Sequence, residues 1–155
     1  HYLCNSFTKR KYKSILRKTM INFNYETDFS LNNEEEISIW INETIVSENH
    51  ILDEISYVFC DDDYLYKLNI EFLNHDTLTD IISFDYSVGK NIQGDIFISV
   101  ERVVDNAKDF GVSFEEELHR VIIHGVLHYC GYKDKTDDDA KVMREKENHY
   151  LKLLF

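Results

Sequence analysis

The residues best suited to chemistry lie in one short run, His124-Gly-Val-Leu-His128-Tyr-Cys-Gly131-Tyr132-Lys-Asp134. Two histidines at i and i+4 of a helix project about 40° apart on one face, roughly 6 Å along the axis. That separation lets two imidazoles share one metal ion. Gly131 breaks the helix and lets the chain fold back to offer a third ligand, for which Asp134 is the nearest side chain. Two histidines and one carboxylate suit a Zn²⁺ ion, one per chain, with a fourth position open to water. Bound zinc would lower the pKa of that water towards neutrality. Nickel or another divalent ion could take the same three ligands.

A His-x-x-x-His pair also arises often by chance, with its rings solvated or satisfied within a core. Here the surrounding helix is apolar, through Val121, Ile122, Ile123, Val126 and Leu127. Both rings are therefore expected to be partly buried, and buried imidazoles need partners. The peptidase version of the motif is excluded. It places a general-base glutamate directly after the first histidine, and Gly125 stands there. Glu115, Glu116 and Glu117 lie more than a turn upstream, where acids complement a helix N-terminus.

The elements that must position this run alternate short apolar stretches with helical periodicity. Ile21 to Tyr25 predicts a first strand. Asn33 is a candidate cap for a helix whose Ile37, Trp40, Ile41 and Ile45 share one face. Ile55 to Cys60 predicts a buried strand. Asp61 to Asp63 start a helix with Leu65, Leu68 and Phe72 inward. Ile81 to Tyr86 and Ile96 to Val100 predict two strands of a hairpin, with Gly89 and Gly94 marking the connection. A helix follows with Val103, Val104, Ala107 and Phe110 inward, stopped by Gly111. Ser113 and Glu116 form a capping box for the histidine helix, which runs to about Cys130 before Gly131 ends it. Asp137 opens a last amphipathic helix with Ala140, Met143, Leu151 and Leu154 among its apolar positions. The fold class predicted is α/β or α+β, a small mixed sheet of about four strands covered by helices.

Composition bounds the partners. The 155 residues carry 29 Asp plus Glu against 17 Lys plus Arg, a net charge of −12. With 43% hydrophobic and 14% aromatic residues, the chain can build a core. An acidic balance argues against a protein that coats nucleic acid indiscriminately. Cys4, Cys60 and Cys130 form no CxxC, which argues against a disulfide framework and makes a reducing cytoplasm the expected location. No apolar run approaches the roughly 18 residues needed to span a membrane. Charge is unevenly distributed. Residues 1–19 hold Lys9, Arg10, Lys11, Lys13, Arg17 and Lys18 and no acid, so they carry +6 and residues 20–155 carry −18. The segment 1–19 reads as an extension outside the natural domain with Met20 as its start, as a basic arm that helps contact RNA, or as a transit peptide. Residues 20–155 read as a single domain.

Three blocks, in order, carry a resemblance. The first is Leu68-Asn69 to Phe72, followed by Thr79-Asp80-Ile-Ile-Ser83-Phe84. The second is Gly94-Asp95-Ile96-Phe97-Ile98-Ser99. The third is His124-Gly125-x-Leu127-His128-x-x-Gly131-Tyr132. In these blocks the chain resembles the YbeY family, single-strand-specific metallo-endoribonucleases that mature ribosomal RNA. The likeness covers essentially Met20 to Phe155. It implies a zinc ion held by His124, His128 and a third ligand that is histidine in most members and Asp134 here. It implies a zinc-dependent endoribonuclease acting in ribosomal RNA processing, at the 3′ end of the small-subunit RNA, and in ribosome quality control. Its partners would be ribosomal RNA and the small subunit, with no DNA and no membrane.

Two departures from the family pattern bear on activity. Leu73 stands where many members carry an arginine thought to help catalysis, and Leu78 where a proline is usual. A guanidinium could hold a phosphate or stabilise charge on phosphorus. Arg102, Arg120, Lys133 and Lys135 are the candidate RNA-binding cations in its place, each also readable as a plain surface charge. The Leu73 departure keeps a second reading open, a metal-stabilised ribosome assembly factor with little or no nuclease activity. A weaker third is hydrolysis of another small substrate at the same metal. Thr79, Asp80, Ser83 and Asp95 read as cleft-lining residues or, preferably, as turn and strand-end hydrogen-bonding groups. Phe84, Tyr86 and Tyr129 read as base-stacking or core aromatics, and His75 and His119 as surface residues.

Overall fold

The computed structural model describes residues 20–73 and 79–154. The basic segment 1–19, with its three readings and Cys4, lies outside the described residues, as do His75 and Leu78. Four strands and five α-helices follow in the order β1 (Ile21–Tyr25), α1 (Glu34–Ser47), β2 (Ile51–Cys60), α2 (Asp62–Leu68), β3 (Ile81–Asp85), β4 (Asn91–Ser99), α3 (Val100–Phe110), α4 (Phe114–Tyr129) and α5 (Asp137–Leu154). The sheet order is β1-β2-β4-β3. β1, β2 and β4 run parallel, and β3 returns antiparallel along the edge of β4. The fold is thus α+β with a mixed four-stranded sheet.

The two central strands explain their own sequences. β2 ends Tyr57-Val-Phe-Cys60 and β4 ends Ile96-Phe-Ile-Ser99, near-continuous apolar runs of the kind that pack on both faces. One face holds the main core. There Ile55, Tyr57, Phe59, Ile96 and Ile98 meet Ile37, Trp40, Ile41 and Ile45 of α1, and Ile122, Ile123, Val126 and Leu127 of α4. Each such side chain contributes about 1.5–3 kcal/mol by leaving water. The opposite face carries a smaller cluster of Cys60, Leu65 and Ile82, with Leu68, Phe84 and Phe97 packed against it. α4 lies in the middle of the larger core, which is why its sequence is apolar almost all round.

Several expectations shift. β2 begins at Ile51 rather than Ile55, with a register irregularity between Leu52 and Glu54. β4 begins at Asn91, so Gly94 lies inside a strand and not in the connection. The turn itself is closed by the Val88–Asn91 bridge around Gly89, whose φ is +59°. Phe72 is 60% exposed, not inward. Asn69, four residues after Leu65 and buried on the same face, opens a π-helical turn, Asn69–Leu73, whose wider winding turns Phe72 off that face. Phe110 is also exposed, because it falls in the last turn of α3, past the Val103 and Ala107 stripe. Asn33 occupies the cap position of α1, yet its side chain makes no capping bond.

Three side chains fasten the end of α1 to the segments around the histidine run. Glu48 accepts from the Tyr132 hydroxyl at 2.7 Å, from Lys146 Nζ at 3.1 Å and from the Tyr150 hydroxyl. Burial alone would push the Glu48 carboxyl up, but these donors together hold it below the usual carboxylate value. Trp40 Nε1 donates to the Tyr150 carbonyl at 2.8 Å, tying α1 to α5 a second time.

Candidate metal centre

The histidine helix begins where the capping residues place it, with the Ser113 hydroxyl accepting from the Glu116 amide at 3.1 Å. It ends in a Schellman motif. Gly131 adopts φ +103°, its amide bonds to the His128 carbonyl at 3.0 Å, and the Tyr132 amide bonds to the Leu127 carbonyl at 3.1 Å. The chain therefore turns back at once and carries Asp134 over the last turn of α4.

Two glycines set how closely α4 sits on the sheet. A Cβ on Gly125 would come within 2.9 Å of Ile96 Cδ1 and 3.1 Å of Ile81 Cδ1. A Cβ on Gly94 would stand 2.5 Å from the Phe84 carbonyl oxygen and overlap the Tyr129 hydroxyl. That hydroxyl donates to the Phe84 and Asp95 carbonyls at 2.9 and 3.0 Å, fastening the helix end to β3 and β4. Tyr129 is thus a core residue. Phe84 packs edge-on against Phe97 and Phe72, in and beside the smaller cluster of the opposite sheet face. Tyr86 is 52% exposed.

His124, His128 and Asp134 converge. The two Nε2 atoms lie 2.9 Å apart, and Asp134 Oδ2 stands 3.2 Å from the first and 3.3 Å from the second. For a tetrahedral zinc ion with ligands at about 2.0–2.2 Å, neighbouring ligand atoms are about 3.3–3.5 Å apart. The observed triangle nearly matches one face of that tetrahedron. Both rings are partly buried, while Asp134 is exposed on its loop.

The opposite ring nitrogens decide which atoms face the triangle. His128 Nδ1 lies 2.8 Å from the Tyr132 carbonyl oxygen, which can only accept, so Nδ1 carries the proton. His124 Nδ1 lies 2.7 Å from Glu147 Oε2. Burial alone would push the Glu147 carboxyl up, but bonds from His124 and Arg120 hold it below the usual range, so it is ionised and accepts. In the neutral rings, both Nε2 lone pairs and a carboxylate oxygen therefore point at one another. Nitrogens this close need a proton or a cation between them. Burial would lower the His124 pKa, yet the Glu147 hydrogen bond and the charges of Glu147, Asp134 and Asp80 raise it. The donor set thus fits a divalent cation on the chemistry of its atoms.

The other residues singled out from the sequence separate. Lys133 and Lys135 are exposed and flank Asp134 on its loop. Arg102 bonds Asp62 at 2.8 Å and Asp105 at 3.4 Å, so it is held within the protein. Arg120 reaches Glu147 at 3.1 Å and Asn148 at 2.9 Å, one residue removed from His124. Thr79 donates to the Ile81 carbonyl at 3.2 Å, a strand-end bond. Ser83 and Asp95 sit within the β3–β4 ladder. Asp80 lies among the charges acting on His124, and burial raises its carboxyl pKa.

One reading is corrected. His119 is not a surface residue. It is 5% exposed and meets the Trp40 ring edge-on, because α4 is covered by α1 and α5 as well as by the sheet. Glu117 lies in the first turn of α4, as the sequence implied, and is buried as well, with its carboxyl pushed up by desolvation. The residue that sequence reasoning missed is Glu147, 4% exposed. Its signal was a lone acid between Met143 and Leu151 at four-residue spacing, a carboxylate on the apolar stripe of α5.

An α+β sheet whose buried helix presents two imidazoles and a following carboxylate defines a protein with three converging donors of the kind that can hold a metal ion. A model of the endoribonuclease YbeY family matches residues 6–154. The chain belongs to that family. Endoribonuclease YbeY of Flavobacterium johnsoniae is 67% identical over 132 residues, covering 85% of this chain and 95% of that one. The Bacteroides thetaiotaomicron protein of the same name is 45% identical over 116 residues, 75% of this chain and 85% of that one. A solution structure of a Thermotoga maritima protein aligns with a TM-score of 0.65 at 30% identity, over 87% of this chain and 89% of that one.

Proposed function

We propose that this chain, as a single domain over residues 20–155, is a zinc-dependent endoribonuclease. It acts on single-stranded regions of ribosomal RNA in small-subunit 3′-end maturation and ribosome quality control, in the cytoplasm. The observation that carries the reading is the triangle of His124 Nε2, His128 Nε2 and Asp134 Oδ2, all within 3.3 Å, with both Nδ1 atoms already engaged by the protein. His124, His128 and Asp134 hold the ion, which when bound supplies Lewis acidity and activates water. The Tyr132 carbonyl keeps the His128 ring in the tautomer that leaves its Nε2 free. Lys133 and Lys135, beside Asp134, are the cations best placed to meet the substrate's phosphates. Arg120 and Arg102 already hold carboxylates and contribute less. Asp134 in place of a third histidine would add one negative charge to the donor set and would lessen the acidity that a bound cation confers.

One observation favours a second reading, a ribosome assembly factor with little nuclease activity. Leu73, where many members carry an arginine, is partly exposed and offers no charge to a phosphate. The test is zinc quantification and cleavage of single-stranded ribosomal RNA by the wild-type chain, His128→Ala and Asp134→Ala. We expect metal-dependent cleavage in the wild type and its loss, with reduced zinc, in both variants. Full zinc occupancy without cleavage supports the assembly factor instead. Unchanged zinc in both variants overturns the ligand assignment.

A further inference from the structure

The geometry points to Glu147 as the residue that makes His124 a metal ligand, with Arg120 as the cation that holds Glu147 to the task. This inference rests on the metal reading of the site and adds two positioning residues to it. The two carboxylate oxygens of Glu147 have different partners. Oε2 lies 2.7 Å from His124 Nδ1, while Oε1 lies 3.1 Å from Arg120 and 3.5 Å from Arg144. Glu147 is 4% exposed, and its place on α5 is otherwise an apolar stripe between Met143 and Leu151. A carboxylate in such a place is strongly destabilising unless its charge and lone pairs are met. A residue chosen only for packing would be apolar there.

What the carboxylate accomplishes lies on the far side of the ring. By accepting from Nδ1 it fixes the proton there, leaves the Nε2 lone pair for the cation, and makes that nitrogen a stronger donor. Without it, His124 can place its proton on Nε2 and shares a hydrogen bond with His128 or Asp134 in place of the metal. Arg120 comes from the same helix as His124, four residues earlier, so one face of α4 carries both the ligand and the counter-charge of its support. Asn148 accepts from the same guanidinium nitrogen at 2.9 Å and keeps it turned towards α5.

The decisive measurement is zinc affinity at fixed pH, by competition with a chromophoric chelator, together with the visible spectrum of the Co²⁺-substituted protein. The chains compared are the wild type, Glu147→Gln, Arg120→Gln and Met143→Ala. Glutamine keeps the shape of Glu147 but turns an amide towards either His124 or Arg120. We expect zinc binding by Glu147→Gln about 10–100-fold weaker, with an altered Co²⁺ spectrum. Arg120→Gln should weaken it less, and Met143→Ala, which loosens the same helix, should leave the affinity of folded molecules unchanged. Wild-type affinity in a folded Glu147→Gln chain overturns the inference. If that variant does not fold, wild-type affinity in Arg120→Gln overturns it. Failure of the wild-type chain to bind zinc overturns the metal reading and this inference together, whereas wild-type binding with an indifferent Glu147→Gln overturns this inference alone.

Discussion

An imidazole has two nitrogens, and in both His124 and His128 the protein fixes one and leaves the other to the site. That division was half visible in the sequence. The i, i+4 spacing and the glycine break after His128 are local patterns, and they identified all three converging donors. Glu147 is 23 residues from His124, and only the docking of α5 on α4 brings it near. His119 is a parallel case: it lies five residues before His124 and so on another side of the helix, and the ring that covers that side, Trp40, comes from α1, which no local pattern shows. Burial lowers the pKa of His119 below 6.5 against the pull of Glu115 and Glu36. The unfolded chain then binds a proton that the folded chain refuses, so stability present above pH 6.5 declines as pH falls below it. An NMR titration should place the His119 midpoint under 6.5, and the unfolding free energy should drop over the same range. A midpoint at or above 6.5 would contradict the burial.

At the scale of elements, the contact that seats α4 on the sheet is between the end of the helix and the middle of β4. The strands were legible because alternation and apolar runs are local. The extent of β4 was not, because a glycine inside a strand and a glycine in a turn look alike until something is seen to occupy the missing Cβ. Here Tyr129 occupies it. The inward faces of α2 and α3 were misjudged at their last turns for a related reason. Periodicity assumes a constant pitch and a core as long as the helix, and the π-turn at Asn69 violates the first while Phe110 outruns the second. Gly94→Ala should destabilise the fold by roughly 1–3 kcal/mol, since the overlap is with a backbone carbonyl as well as with the Tyr129 ring. Denaturant unfolding measures this, and a neutral result would mean that α4 is free to lift from the sheet.

For the whole molecule, the charge of −12 divides into a basic segment of +6 and residues 20–155 at −18. Residues 20–155 hold 11 Lys plus Arg against 29 Asp plus Glu, and five of those cations, Lys67, Arg102, Arg120, Arg144 and Lys146, are engaged by carboxylates within the protein, so the surface met by a polyanion is predominantly acidic. Affinity for RNA in general grows with the number of phosphates neutralised. A chain of residues 20–155 should therefore show no binding to a generic single-stranded RNA at micromolar protein and about 150 mM salt. Tight, steeply salt-dependent binding would refute this and would mean that charge alone delivers the substrate. Otherwise recognition must come through the site itself or through a partner that already holds the RNA. No helix among the described residues is long and apolar enough to cross a membrane.

Gly125 also limits what the site can become. The position after the first histidine faces Ile96 and Ile81, where helix and sheet pack too closely for a Cβ to enter without a shift. An alanine there needs only a small shift of an isoleucine tip. A glutamate would put a carboxylate into the apolar layer beneath the helix, away from the converging donors, at a desolvation cost of several kcal/mol. The one-step substitution that would supply a peptidase-type base is therefore closed by packing. Descendants of this scaffold can vary their chemistry through the Asp134 loop and the groups above it, while the floor beneath the three donors stays fixed.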